Sequence, residues 1–193
     1  VNEYLYQRQV IAYHGCEKAT ADKVLGKGES LAPSEKDYDW LGRGIYFWEH
    51  GPQRALEWAH ERKKQGKIKQ VAVIGAVLNL GNCFDLLDIR YTETLQRAWP
   101  LFVKAKRSKS EKVPSNRDLK HDTSEDKLLR YRDCSVINWT ISELKKSNVA
   151  FDAVRGVFQE AAPAFDDSSI RLKSHIQIAV RNPACIIGYF RPS

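Results

Sequence analysis

The 193 residues are 42% hydrophobic and carry a formal net charge of +7, which suits one domain with a sizeable core and leaves little room for two. No apolar run approaches the ~20 residues that span a bilayer, and the opening VNEYLYQRQV lacks the sections of a signal peptide, so a cytoplasmic protein without membrane contact is expected. The charge favours an acidic partner such as nucleic acid, whereas Cys16, Cys83, Cys134 and Cys185 lack the paired spacing of a zinc site, so free thiols and no metal are expected.

Residues 9–13 are rich in strand-favouring side chains and predict a buried strand ending at His14-Gly15. A helix over 17–25, stopped by Gly26 and Gly28, and a loop over 27–39 follow. The most informative stretch is 38–59, YDWLGRGIYFWEHGPQRALEWA. There Gly42-Arg43-Gly44 lets the backbone turn and pass close to a ligand, and 45–48 then forms a short strand that delivers Tyr46. Pro52 opens a helix that ends near Gly66, with Ala55, Trp58, Ala59 and Arg62 along one face. Tyr46 and Trp58 can then flank a flat ligand. The alternative is that Tyr46, Trp48 and Trp58 only bury area.

A central strand is predicted over 69–80 and a helix over 86–103, which Pro100 should kink or end. Tyr91, Leu95, Trp99 and Phe102 form a core stripe on that helix. Over 104–132 Lys and Arg far outnumber Asp and Glu and several Ser and Pro break the pattern, predicting a mobile basic surface insertion. It is read either as a solvated face or as a contact to a phosphate backbone. A helix over 134–146, a strand over 151–158, a loop over 159–171 and strands over 174–181 and 185–190 complete the chain. This order of elements argues for an α+β domain.

Three separated pieces, AYHG at 12–15, LGRGIYF at 41–47 and SHIQIAV at 174–180, resemble the signature strands of ADP-ribosyltransferases of the diphtheria-toxin and poly(ADP-ribose) polymerase type. The likeness covers 10–80 well and 150–190 more loosely. It implies a split β-sandwich of two small sheets with flanking helices over the whole of 1–193, and NAD as co-substrate without a metal. By resemblance, His14 would bond the adenosine-side ribose, Gly15 would offer backbone groups to the nicotinamide amide, and Tyr46, with Gly44 beside it, would position the nicotinamide end. Trp58 would stack on the ring, one residue away from the family's tyrosine.

Many relatives carry a glutamate on the third strand, where this chain has Gln177. A neutral amide gives a developing cation less support than a carboxylate, whose interaction in a dry cleft is worth roughly 3 kcal/mol. The resemblance therefore implies transfer of a single ADP-ribose rather than chain elongation. Glu160, just before the strand, is read either as a base for the acceptor or as an exposed loop carboxylate. His175 is read as structural, facing away from Gln177. The expected activity is mono-ADP-ribosyl transfer to a macromolecule, nucleic acid being favoured over protein, with a toxin or defence role and a neutralising antitoxin by analogy. A silent NAD cleft on a nucleic-acid-binding module and an NAD glycohydrolase are the alternatives.

Overall fold

In the computed structural model, which describes residues 8–118 and 129–193, strand β1 (Gln9–Glu17) leads directly into helix α1 (Lys18–Lys27). Glu17 makes that junction: its carboxylate accepts from the Lys18, Lys69 and Gln70 amides, capping α1 and tying it to the start of β3. The remaining elements are β2 (Ile45–Glu49), α2 (Pro52–Lys64), β3 (Val71–Asn79), β4 (Cys83–Asp85), α3 (Ile89–Ser108), α4 (Tyr131–Lys146), β5 (Ala153–Phe158), β6 (His175–Val180) and β7 (Ile186–Phe190). The expected α+β class is observed.

The two expected small sheets are instead one sheet in the order β4-β5-β6-β2-β1-β3-β7, antiparallel except for β4 with β5. Its halves are joined unevenly. β1 pairs with β3 along all nine of its residues, but with β2 only at Ala12↔Glu49 and Tyr13↔Trp48. Beyond that narrow seam the two strands part. The halves stay distinct because each has its own long-range partners, and they form one sheet because β2 touches both.

Strand alternation sorts the side chains onto two faces. Val10, Ala12 and Cys16 of β1, Phe47 of β2 and Ile178 of β6 join Ala21 and Val24 of α1 on one face. On the other, Ile137 and Ile141 of α4 pack with Phe84, Val154 and Ala179, against Tyr91 and Leu95 of α3. α2 lies on this second face as well, because Gly15 points at it: a Cβ there would sit 2.2 Å from the Ala55 carbonyl oxygen. Only glycine lets the helix seat so closely. α2 and the α3–α4 pair thus flank a gap over β2 and β6.

Pro100 does not end its helix. α3 runs through it to Ser108, taking in residues expected in the basic insertion. Pro100 and Gln96 are both exposed, so water can take the hydrogen bond that the missing N–H leaves unmade. At the other end of the insertion Tyr131 and Arg132 already belong to α4. Asn116 receives the Arg132 amide at 2.8 Å and donates to Asp133 at 2.9 Å, so the segment before α4 supplies a cap that Arg130 does not. The rest of the expected insertion, 119–128, lies outside the described residues.

Candidate active site

The seam creates the site. Where β1 and β2 part, the Tyr46 carbonyl has no strand partner on that side, and the His14 ring takes its place with Nδ1 at 2.7 Å. A carbonyl only accepts, so Nδ1 carries the proton and Nε2 of the neutral ring is left as an acceptor. Burial lowers the His14 pKa below its ordinary value, outweighing the carbonyl bond that raises it, and keeps the ring neutral. His14 lines a cleft of about 320 Å³ together with Tyr46, Trp48, Arg54, Trp58, Glu160 and Gln177.

Tyr46 is held from both ends. Its hydroxyl donates to the Gly42 carbonyl at 2.6 Å and accepts from the Leu41 amide at 2.9 Å, leaving the ring as the part that a ligand can meet. Burial, then the nearby Asp39 charge, push its pKa well above the ordinary value, so it stays a neutral phenol. The turn it grips is braced by α4. Asn138 Oδ1 accepts from the Arg43 amide at 3.1 Å and from Arg181 Nη1 at 3.0 Å, and Gly42 turns there with φ +78.

On α2, Ala55 and Ala59 face the sheet, which turns the stripe Arg54, Trp58, Glu61 and Arg62 into the cleft. The Trp58 ring meets Trp48 at 5.7 Å, tilted by 53°, and Arg62 lies over its face at 5.5 Å. Trp48 Nε1 and Arg54 Nε and Nη1 are buried without a hydrogen-bond partner. Buried donors left unpaired cost free energy that a ligand can recover, and both residues line the cleft.

Gln177, 8% exposed, sits in β6 opposite Trp48 of β2 and Gly156 of β5. His175 does not face away from it: residues two apart on a strand share a face, and Gln177 Nε2 lies 2.9 Å from His175 Nε2. His175 Nδ1 is 2.7 Å from the Lys173 carbonyl. Glu160 is no exposed loop carboxylate either, since it pairs with Arg54 Nη2 at 3.1 Å and approaches His175 Nε2 to 3.5 Å.

The structure therefore brings His14, Tyr46, Trp58, Gln177 and Glu160 around one cleft. Gly15 and Gly44 do not line it. Gly15 makes room for α2, and a Cβ on Gly44 would lie 2.9 Å from the Val180 carbonyl oxygen, so its need is close packing against β6. Sequence reasoning missed Arg54, Trp40, Lys36 and Asp39 as lining residues. Arg54 was within reach, because it lies one helical turn before Trp58. The three others come from the irregular 28–44 connection, where no periodicity predicts direction.

Among the described residues no group of His, Cys, Asp or Glu could hold a metal ion, the four cysteines are buried and free, and no helix is long and apolar enough to cross a membrane. No family model matches the chain. It is similar to an uncharacterised protein of Methanocaldococcus jannaschii, with 35% identity over 83 residues. That match covers 41% of this chain and 38% of the relative, so the chain spans well under half of the relative's length.

Proposed function

We propose that this domain is an NAD-dependent mono-ADP-ribosyltransferase of the diphtheria-toxin and poly(ADP-ribose) polymerase type, on a sheet whose narrow seam corresponds to the split of that fold. One observation carries the reading: His14, Tyr46 and Gln177, from three distant segments, line a single cleft. The residues fit the co-substrate chemically. Neutral His14 has an acceptor nitrogen for a ribose hydroxyl, Tyr46 and Trp58 offer ring faces to a flat heterocycle, and the Trp48 and Arg54 donors that lack a hydrogen-bond partner suit its polar groups. A cleft of about 320 Å³ suits the nicotinamide–ribose end of a dinucleotide.

In the reaction the ribose–nicotinamide bond breaks, its electron pair leaves with nicotinamide, and an acceptor nucleophile bonds to the anomeric carbon while losing a proton. The cleft's work is to hold the ribose and stabilise the developing cation. Gln177 orients a ribose hydroxyl through a dipole, and the Glu160 carboxylate, beside Nε2 of His175 on the cleft side, supplies negative charge and is the base placed to take the acceptor's proton. We favour nucleic acid over protein as acceptor because of the +7 charge and the cationic second half of α3. A toxin or defence setting with a neutralising partner rests on the family resemblance alone.

The test uses labelled NAD and a whole-cell lysate divided into nuclease-treated and protease-treated halves, beside His14→Ala and Gln177→Ala. The expected result is label that nuclease removes and neither variant transfers. Label removed only by protease would keep the enzyme and reassign the acceptor. Absence of both label and nicotinamide release overturns the catalytic reading. A nucleic-acid-binding module with a silent cleft is the second reading, favoured by the neutral Gln177, and salt-dependent RNA binding without turnover would support it.

A further inference from the structure

His175 makes two contacts that together dictate which way the Gln177 amide faces. The Lys173 carbonyl, 2.7 Å from Nδ1, can only accept, so the Nδ1 position is protonated. Burial disfavours a second proton on the ring, so Nε2 keeps its lone pair. That lone pair faces Gln177 at 2.9 Å. Only the amide NH2 can meet it, because the amide oxygen would set lone pair against lone pair. The amide is planar, with its oxygen and nitrogen on opposite edges. With nitrogen committed to His175, Oε1 is turned the other way, and Gln177 lines the cleft.

We propose that His175 is a positioning residue that holds the Gln177 amide with Oε1 toward the cleft, making Gln177 a fixed hydrogen-bond acceptor for a hydroxyl of the bound ribose. The inference rests on the NAD reading for the identity of the hydroxyl and on this chain's own contacts for the orientation. It explains how glutamine serves where a carboxylate would otherwise stand. A carboxylate presents an acceptor oxygen however it is rotated, but an amide presents either an acceptor or a donor and needs a neighbour to choose. His175 makes that choice.

His175 is itself held from every side. The Trp40 ring is stacked on it at 6.2 Å, the Phe158 ring lies at 5.9 Å, and Glu160 with its partner Arg54 occupies the cleft side. Lys173 places its ammonium on Glu61 of α2 at 3.1 Å, which fixes the backbone whose carbonyl sets the tautomer. The charges nearest the ring are thus Glu160, which favours a proton on Nε2, and Arg54 and Lys173, which oppose it.

Two experiments decide the matter, one of which needs no activity. Nitrogen NMR of labelled imidazoles, with His175→Gln used to assign the resonances, should find His175 neutral and protonated at Nδ1 at pH 7.5. A proton on Nε2 overturns the proposal. The second is a double-mutant cycle on nicotinamide release from NAD. His175→Ala should slow release by about tenfold in the native background, the loss of one positioning hydrogen bond. In the Gln177→Glu background, where either carboxylate oxygen can accept, the same change should cost much less. Equal losses in both backgrounds would reduce His175 to a structural role and overturn the proposal. His175→Gln, whose own carbonyl can accept from Gln177, should recover most of the rate, and covers the case in which the alanine variant does not fold. If the native chain releases no nicotinamide, the proposed function fails while the NMR result still decides the orientation.

Discussion

His14 and Tyr46 are each committed twice, once to the sheet and once to the cleft, and their substitutions should separate those duties. Tyr46→Phe keeps the ring but loses the bonds to Gly42 and Leu41. It should cost about 1–3 kcal/mol of stability, two net hydrogen bonds of ordinary strength, seen as a lower denaturant midpoint. NAD affinity should fall less than in Trp58→Ala, which removes a ring face; titration calorimetry distinguishes the two, and a Tyr46→Phe variant of native stability would refute this account of the turn. At this scale much of the site could be read in the sequence. His14, Tyr46, Trp58, Gln177 and Glu160 all reach the cleft. What could not be read is the company they keep: His175 needs correct alternation, and the Glu160–Arg54 pair joins residues 106 apart in the chain.

Helices and strands were legible in their centres. The β1, β2, α2, β3 and β6 spans fall within a few residues of the expected ones. β4, three residues long, was missed because so short a run has no period to detect. α3 was expected over 86–103 with Pro100 kinking or ending it, and it does not end there because a proline's cost depends on whether solvent can reach the carbonyl it orphans. That cost remains in the helix, so Pro100→Ala should stabilise the chain. The gain should be about 2 kcal/mol, the interior-proline penalty reduced by the extra freedom given to the unfolded chain, and thermal melting measures it. Gly15→Val should act in the opposite direction. A Cβ 2.2 Å from the Ala55 oxygen meets backbone rather than a side-chain end, so α2 must lift, carrying Arg54 and Trp58 out of the cleft. Loss of about 1–3 kcal/mol with altered tryptophan fluorescence is expected.

Across the whole molecule, the sheet is fastened beneath the cleft by Arg155 of β5, 4% exposed, which bonds Glu49 at the end of β2 and Asp85 at the end of β4. Replacing it with leucine strands the Glu49 carboxylate and leaves Asp85 only Arg8, at 3.7 Å, and should cost about 3–5 kcal/mol, measured by denaturation. Acid should act through two histidines. His14 and His175 both have pKa values lowered by burial, so the folded chain binds fewer protons than the unfolded chain near their ordinary value of 6.5. Their contribution to stability is complete above that value and is lost as pH falls below it. Melting temperature should drop between pH 7 and 5, and the drop should shrink in His175→Gln. The α+β class was legible from element order, whereas the joining of two expected sheets into one was not, since it depends on two residue pairs at the seam.

That seam gives His14 the work of a stitch. The ring closes the place where the sheet nearly divides, and the same ring offers its remaining nitrogen to the cleft. Grip on a ligand and cohesion of the molecule therefore pass through one imidazole. On the proposed function, a molecule bound there should tighten the fastening between the two halves, and protonating or displacing the ring should loosen both at once. On that same proposal, the cleft sits at the narrow join between the two halves, and its occupancy is felt as the strength of the sheet.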